Sequence, residues 1–253
     1  MMHKMRAILA VLKKKKKPRK LAVTRELLAI DGQKVAVMVR LNPRARRMIM
    51  RVNPVSGEVM VTAPARMGRA AALAFVRGET QWVSRQRAQA PKQVALAPGA
   101  LVPFLGVAHR IRAAGEKGPA PVWREGEEIF VSGRTEHAAR RLTDFFKQEA
   151  RKNFEASALA YGERLGVRPT RITVRDTATR WGSCSSARTL SFSWRLIFAP
   201  YYVRDYVVAH EAAHLKEMNH GPRFWAHVEA LTPHARRARK WLRENGRNLL
   251  RYN

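Results

Sequence analysis

Residues 206–225 read YVVAHEAAHLKEMNHGPRFW, and no other stretch constrains the chain as strongly. Val207, Val208, Ala212, Ala213 and Leu215 surround His210, Glu211 and His214 with apolar groups at helical spacing. That pattern predicts a largely buried helix, in which unpartnered imidazoles and a carboxylate would be costly. His210 and His214 are four residues apart, so both rings leave one helix face about a turn apart. The spacing lets two ring nitrogens reach one zinc ion at about 2.0–2.1 Å. Glu211 is rotated about 100° from the first ring, too far to bind beside both histidines. It is placed instead to act on a zinc-bound water as general base.

A site with one position open to water and substrate needs a third protein ligand. His220, just past the expected end of the helix, is the favoured candidate. Its distance from His214 equals that of the metzincin pattern, although Glu217 stands where that pattern has glycine and no later methionine turn is evident. His227, inside the following helix, and Glu229 are rivals, since carboxylates complete other zinc peptidase sites. The residues thus predict one Zn2+ as cofactor.

Elsewhere the punctuation predicts an α+β chain in three parts. Residues 1–20 read as a basic flexible leader carrying the Lys13–Lys17 run. Residues 21–132 read as a β-rich N-terminal part with one helix. It opens with a hairpin turning at Asp31-Gly32, then a strand pair at 46–53 and 58–63, and one amphipathic helix over 66–88. A connector at 89–98 leads to short strands near 101–112 and 121–132. Residues 133–253 read as the catalytic domain: a helix over 136–165, strands at 171–176 and 189–198, and helices over 201–218, 222–231 and 233–245. Pro200 opens the metal-bearing helix and Gly221-Pro222 ends it. No internal repeat is visible.

Composition narrows the setting. With 46% hydrophobic residues, the 253-residue chain is a folded protein. One cysteine, Cys184, excludes an intrachain disulfide and points to a reducing, cytoplasmic compartment. No stretch reaches the length of a membrane span. Lys plus Arg outnumber Asp plus Glu by 49 to 19, a formal +30, which admits association with nucleic acid or another polyanion. The basic residues are scattered, however, and lack the aromatic interleaving of an RNA-binding sheet.

HEAAHLKEMNHGPRFW, preceded by TRWGSCSSARTLSFSWRLIFAP, closely resembles the YgjP-type metallopeptidase family, related to SprT-like HExxH zinc proteases. His220, Pro222, Phe224 and Trp225 match its HxPxFW-like sequence. Arg46-Arg47, the Trp82 helix and Phe104-Leu105-Gly106 fall where its N-terminal part would place them. The resemblance covers roughly residues 35–245 and is most specific at 179–225. It implies a zincin-like catalytic domain, with the active-site helix against a small sheet, behind a β-rich part. It also implies zinc on His210, His214 and His220, Glu211 as the catalytic residue, and a protein or peptide substrate.

The segment Arg180–Cys184 offers more. Gly182 allows close backbone approach, and residues 189–195 are expected to present an edge to an extended substrate. Arg180 is a candidate for holding a substrate carboxylate or a developing oxyanion, against the alternative of pinning the turn. Cys184 reads as a small buried thiol sooner than as a zinc ligand or redox switch. Tyr201 and Tyr202 read as packing groups before transition-state donors, and Trp181, Trp194, Trp225 and Trp241 as core or cleft wall. Two rival functions use the same histidines. One is a zinc-dependent nucleotide pyrophosphatase, suited to a basic cleft but lacking a P-loop or two-metal carboxylate cluster. The other is a nucleic-acid-associated protein with structural zinc, which would ordinarily want four ligands.

Overall fold

The computed structural model describes residues 23–116 and 118–252; the expected leader at 1–20, with Lys13–Lys17, lies outside the described residues. These form two compact units. The first holds the described residues up to Val52 together with Glu58–Ser84, and the second holds Asn53–Gly57 and those from Arg85 onward.

In the first unit, strands β1 (Val23–Ile30), β2 (Gln33–Asn42), β3 (Ile49–Val52) and β4 (Val59–Pro64) lie in the order β1-β2-β4-β3. Asp31 and Gly32 take φ of 47° and 73°, the left-handed pair that an Asp-Gly hairpin turn requires. Alternation buries Val35, Val37, Val39, Val59, Val61 and Ala63 with Ala72 and Val76 of helix α1 (Gly68–Gly78). The single helix expected over 66–88 is two, because the chain breaks at Glu79 (φ −111°, ψ 25°) before α2 (Thr80–Ala88). Gly78, a weak helix former, sits at that break.

The second unit begins with β5 (Leu101–Val102), β6 (His109–Ala113), β7 (Val122–Glu125) and β8 (Glu128–Val131), in the order β5-β6-β8-β7. Its two antiparallel hairpins meet through a parallel inner pair, as in the first sheet. The arrangement recurs although the sequence shows no repeat. Helix α3 (Ala138–Arg164) buries a stripe of Leu142, Phe146, Ala150, Phe154, Ala158 and Tyr161, with Phe145 partly buried beside it.

A third sheet holds β9 (Arg171–Arg175), β10 (Gly182–Cys184) and β11 (Thr189–Ser193), in the order β10-β11-β9. This order overturns the expectation that 189–195 forms the free edge. β11 is central, and β9 and β10 are the two edges. The strand expected to reach residue 198 stops at Ser193, and Trp194–Phe198 form a 3-10 turn. All five of those side chains are buried, where a strand with one solvated face would bury only alternate ones.

Helix α4 (Tyr201–Ala213) follows Pro200, then α5 (Pro222–Leu231) and α6 (Ala235–Leu249). α4 is shorter than the predicted 201–218. After Ala213 the chain tightens through bonds from Leu215 N to Ala212 O and from Lys216 N to Ala213 O, with His214 as the C-terminal cap. Buried polar groups fix its start. Arg204 donates to the Ala199 carbonyl (3.2 Å), the Asn153 side-chain oxygen (2.7 Å) and the Leu105 carbonyl (3.4 Å). Asp205 accepts from the hydroxyls of Tyr161 on α3 and Thr232 beyond α5. Gly106, at φ 85°, lies so close to Pro200 that a Cβ there would stand 3.1 Å from the proline Cα. The Phe104–Gly106 turn therefore seats the helix start. The fold is α+β, with α4 against a small sheet and a β-rich N-terminal part before it. Among the described residues no helix is long and apolar enough to cross a membrane.

Candidate metal centre

α4 supplies His210 and His214 from one face, and the tight turn after it brings His220 back towards them. The ligand atoms of the three residues all lie within 4.8 Å of one another, the one such group among the described residues. The Nε2 atoms of His210 and His220 stand 3.2 Å apart, close to the roughly 3.3 Å between two ligands at 2.0–2.1 Å from a tetrahedral ion. Ring centroids are 5.1 Å apart for His210–His214 and His210–His220, and 4.8 Å for His214–His220.

The rings are oriented from behind. His214 Nδ1 lies 2.9 Å from the Glu217 carbonyl; because a carbonyl only accepts, Nδ1 carries the proton and Nε2 is left as the ligand atom. Tyr206, one turn before His210, sets its hydroxyl 3.4 Å from His210 Nδ1. Phe224, fully buried, backs all three rings at centroid distances of 4.5–4.9 Å. Trp225 stacks on His220, and Arg239 of α6 lies 4.8 Å over the Trp225 ring.

The electrostatics favour neutral imidazoles. Burial, then the charges of His214, His220 and Arg239, push His210 down to about 4. Burial also lowers His214. Imidazole nitrogens of this kind, two of them held towards the neutral form, suit zinc.

Glu211 is 6% exposed, and burial pushes its carboxyl up to about 7 against the pull of the Arg180 charge. It lies over Gly182 of β10. A Cβ built on Gly182 would stand 2.5 Å from Glu211 Cγ and 2.6 Å from Oε1. Of the residues singled out in the sequence, the structure thus gathers His210, His214, His220, Glu211, Gly182 and Arg180. His227 is half-buried and Glu229 exposed, and neither joins the histidine group. Cys184 is a half-buried free thiol outside that group, pushed up to about 11 by burial and by Glu211. Tyr201 is 63% exposed, and Tyr202 lies beneath Arg237, 4.0 Å over its ring.

Sequence reasoning missed Tyr206, Arg239 and the Glu217 carbonyl. Helical spacing from His210 would have found Tyr206. No local signal marks the other two, since one comes from a distant helix and the other is backbone.

A family model described as YgjP-like, metallopeptidase domain, matches residues 46–245. No curated protein and no solved structure matches the chain.

Proposed function

The chain belongs to the YgjP-like metallopeptidase family, and from that premise we propose that it is a zinc-dependent peptidase whose general base is Glu211. The observation that carries this reading is the juxtaposition of three converging histidines with a buried carboxylate on α4, the helix that carries the first of them. His210, His214 and His220 would hold the ion, which when bound supplies Lewis acidity to a water and to the scissile carbonyl.

The remaining work falls to the chain itself. Glu211 accepts the proton of the attacking water at its carboxylate and returns one to the leaving amine nitrogen. Burial raises this carboxyl above the ordinary carboxylate range, which favours its carrying the proton between the two halves of that transfer. Gly182 keeps the space in front of the carboxylate free of a side chain. Tyr206 and the Glu217 carbonyl hold two of the imidazoles in the donor orientation.

The test is Glu211→Gln, which keeps size and shape but removes the base. Hydrolysis of an unstructured protein substrate should fall by about 10²–10⁴-fold, with zinc content unchanged. Turnover within threefold of the unaltered enzyme would refute the assignment. A nucleoside triphosphate panel run beside it separates the pyrophosphatase alternative, since the peptidase reading expects no release of phosphate or pyrophosphate.

A further inference from the structure

The third sheet presents a second face, opposite the one that meets Glu211. Register and burial define it. Ile172, Leu190 and Phe192 are buried towards the core, whereas Thr173, Ser191 and Ser183 stand on neighbouring strands in one row across the other side. The Thr173 and Ser191 hydroxyls are 2.6 Å apart. The connection from β9 to β10 crosses over the end of β11. It is held there by Ser193 Oγ donating to the Thr177 carbonyl (3.2 Å) and Thr177 Oγ1 to the Arg180 carbonyl (2.9 Å).

Between this connection and the sheet lies a pocket of about 310 Å³, bordered by Arg175, Thr177, Thr179, Arg180, Ser183 and Ser191. Among the described residues no carboxylate borders it. Asp176 is turned away into an ion pair with the buried Arg195. Among the described residues neither Arg175 nor Arg180 forms an ion pair. Two guanidinium groups outside any ion pair, Arg175 and an Arg180 whose charge also reaches Glu211, stand among four hydroxyls and make a receptor for an oxyanion, because ionised partners give the stronger hydrogen bonds.

Position says which oxyanion. Gly182 of β10 borders the pocket and also underlies Glu211. Among the described residues β10 pairs only with β11, so no strand occupies its other edge. Successive side chains of a peptide laid along β10 alternate between the two faces. With the scissile residue over Glu211, its neighbour presents its side chain on the arginine-lined face.

We propose that this pocket is a specificity subsite that receives an acidic side chain adjacent to the scissile bond, so that the preferred substrates are acidic peptides. The assignment rests on the peptidase reading above and adds a substrate class to it. It also gives part of the large positive charge a local use.

The experiment uses full-length, zinc-loaded Glu211→Gln protein and fluorescent unstructured peptides in pairs that differ only by Glu or Gln at one position, scanned along the peptide. Anisotropy should show Glu bound at least about tenfold more tightly than Gln at one position, with its immediate neighbours indifferent. Adding Arg175→Gln and Arg180→Gln should shrink the preference below about twofold, whereas Arg151→Gln on the exposed face of α3 should preserve it. Ser183→Asp, which sets a carboxylate in the pocket, should abolish it independently. No Glu preference at any position, or a preference that survives the arginine changes, overturns the proposal. Inorganic phosphate or a nucleoside triphosphate bound through the same arginines, with no Glu preference, overturns it in favour of a phosphate site. Because binding is read on protein that cannot turn over, a failure of the unaltered enzyme to cleave any peptide refutes the peptidase reading separately. Cleavage without a Glu preference refutes the subsite alone.

Discussion

Replacing Gly182 with alanine isolates what the close approach of β10 to α4 is for. Gly182 does not occupy the left-handed region, so its backbone admits alanine and the whole effect is steric. The added methyl would stand 2.5 Å from Glu211 Cγ, 2.6 Å from Oε1 and 2.8 Å from Cδ. Unstrained carbon contacts lie at about 3.5–4.0 Å, so the carboxyl must retreat by about 1 Å. A shift of that size in a catalytic group costs about 10²-fold in kcat/KM. Stability should barely change. Alanine narrows the unfolded ensemble by about 0.4–1 kcal/mol, and rotating Glu211 off its preferred geometry costs about 0.5–1.5 kcal/mol. The net lies within about 1 kcal/mol, a Tm change of no more than about 4 °C. The three ligand rings are untouched, so zinc content should hold. Steady-state hydrolysis of an unstructured substrate, metal content and a thermal scan on the same preparation read all three. Combined with Glu211→Gln, the alanine should add almost nothing, because both act through one carboxyl. Activity within twofold of the unaltered enzyme would refute the claim that Glu211 works from this position.

Two further outcomes follow from groups around the centre. Asp205→Ala leaves the Tyr161 and Thr232 hydroxyls without their buried acceptor, which should cost about 2–4 kcal/mol and lower Tm by roughly 5–15 °C; a shift under 2 °C would show that this contact does not anchor α4. Cys184, with a folded pKa near 11 against about 8.5 unfolded, stays protonated at pH 8. Iodoacetamide should therefore label the native protein at least about tenfold more slowly than the denatured chain, the difference closing as pH approaches 11, and equal rates at pH 8 would contradict the burial assigned to this thiol.

Much of the centre is legible in the sequence because its chemistry is local. His210, Glu211 and His214 sit on one helix, whose i, i+4 spacing decides where the rings point. Even His220 is only six residues on. The fold around it is less legible where distant partners decide. Alternation marks β11 as a strand but cannot say which of its edges is open, and pairing with both β9 and β10 makes it central. The run from Trp194 to Phe198 looks like more of that strand, yet the burial of Arg195 against Asp176 and the Tyr252 carbonyl bends it into a 3-10 turn. Likewise β5–β8 read in the sequence as belonging to the N-terminal part at 21–132, whereas Val102, Phe104, Ile111 and Ile129 share their core with Phe146 and the α4 residues. Gly182 reads simply as permissive; only the packing of two elements shows that its missing side chain makes room for the carboxylate.

The central claim, that three histidines of this chain hold a zinc ion beside Glu211, is tested most directly by the metal itself. Full-length protein purified without added zinc and then titrated should take up one equivalent. Its zinc-edge absorption should show three imidazole nitrogens at about 2.0–2.1 Å and no sulfur, with His220→Ala losing one of them. Less than about 0.2 equivalents with no uptake on titration, or a sulfur neighbour near 2.3 Å that would implicate Cys184, would contradict the account.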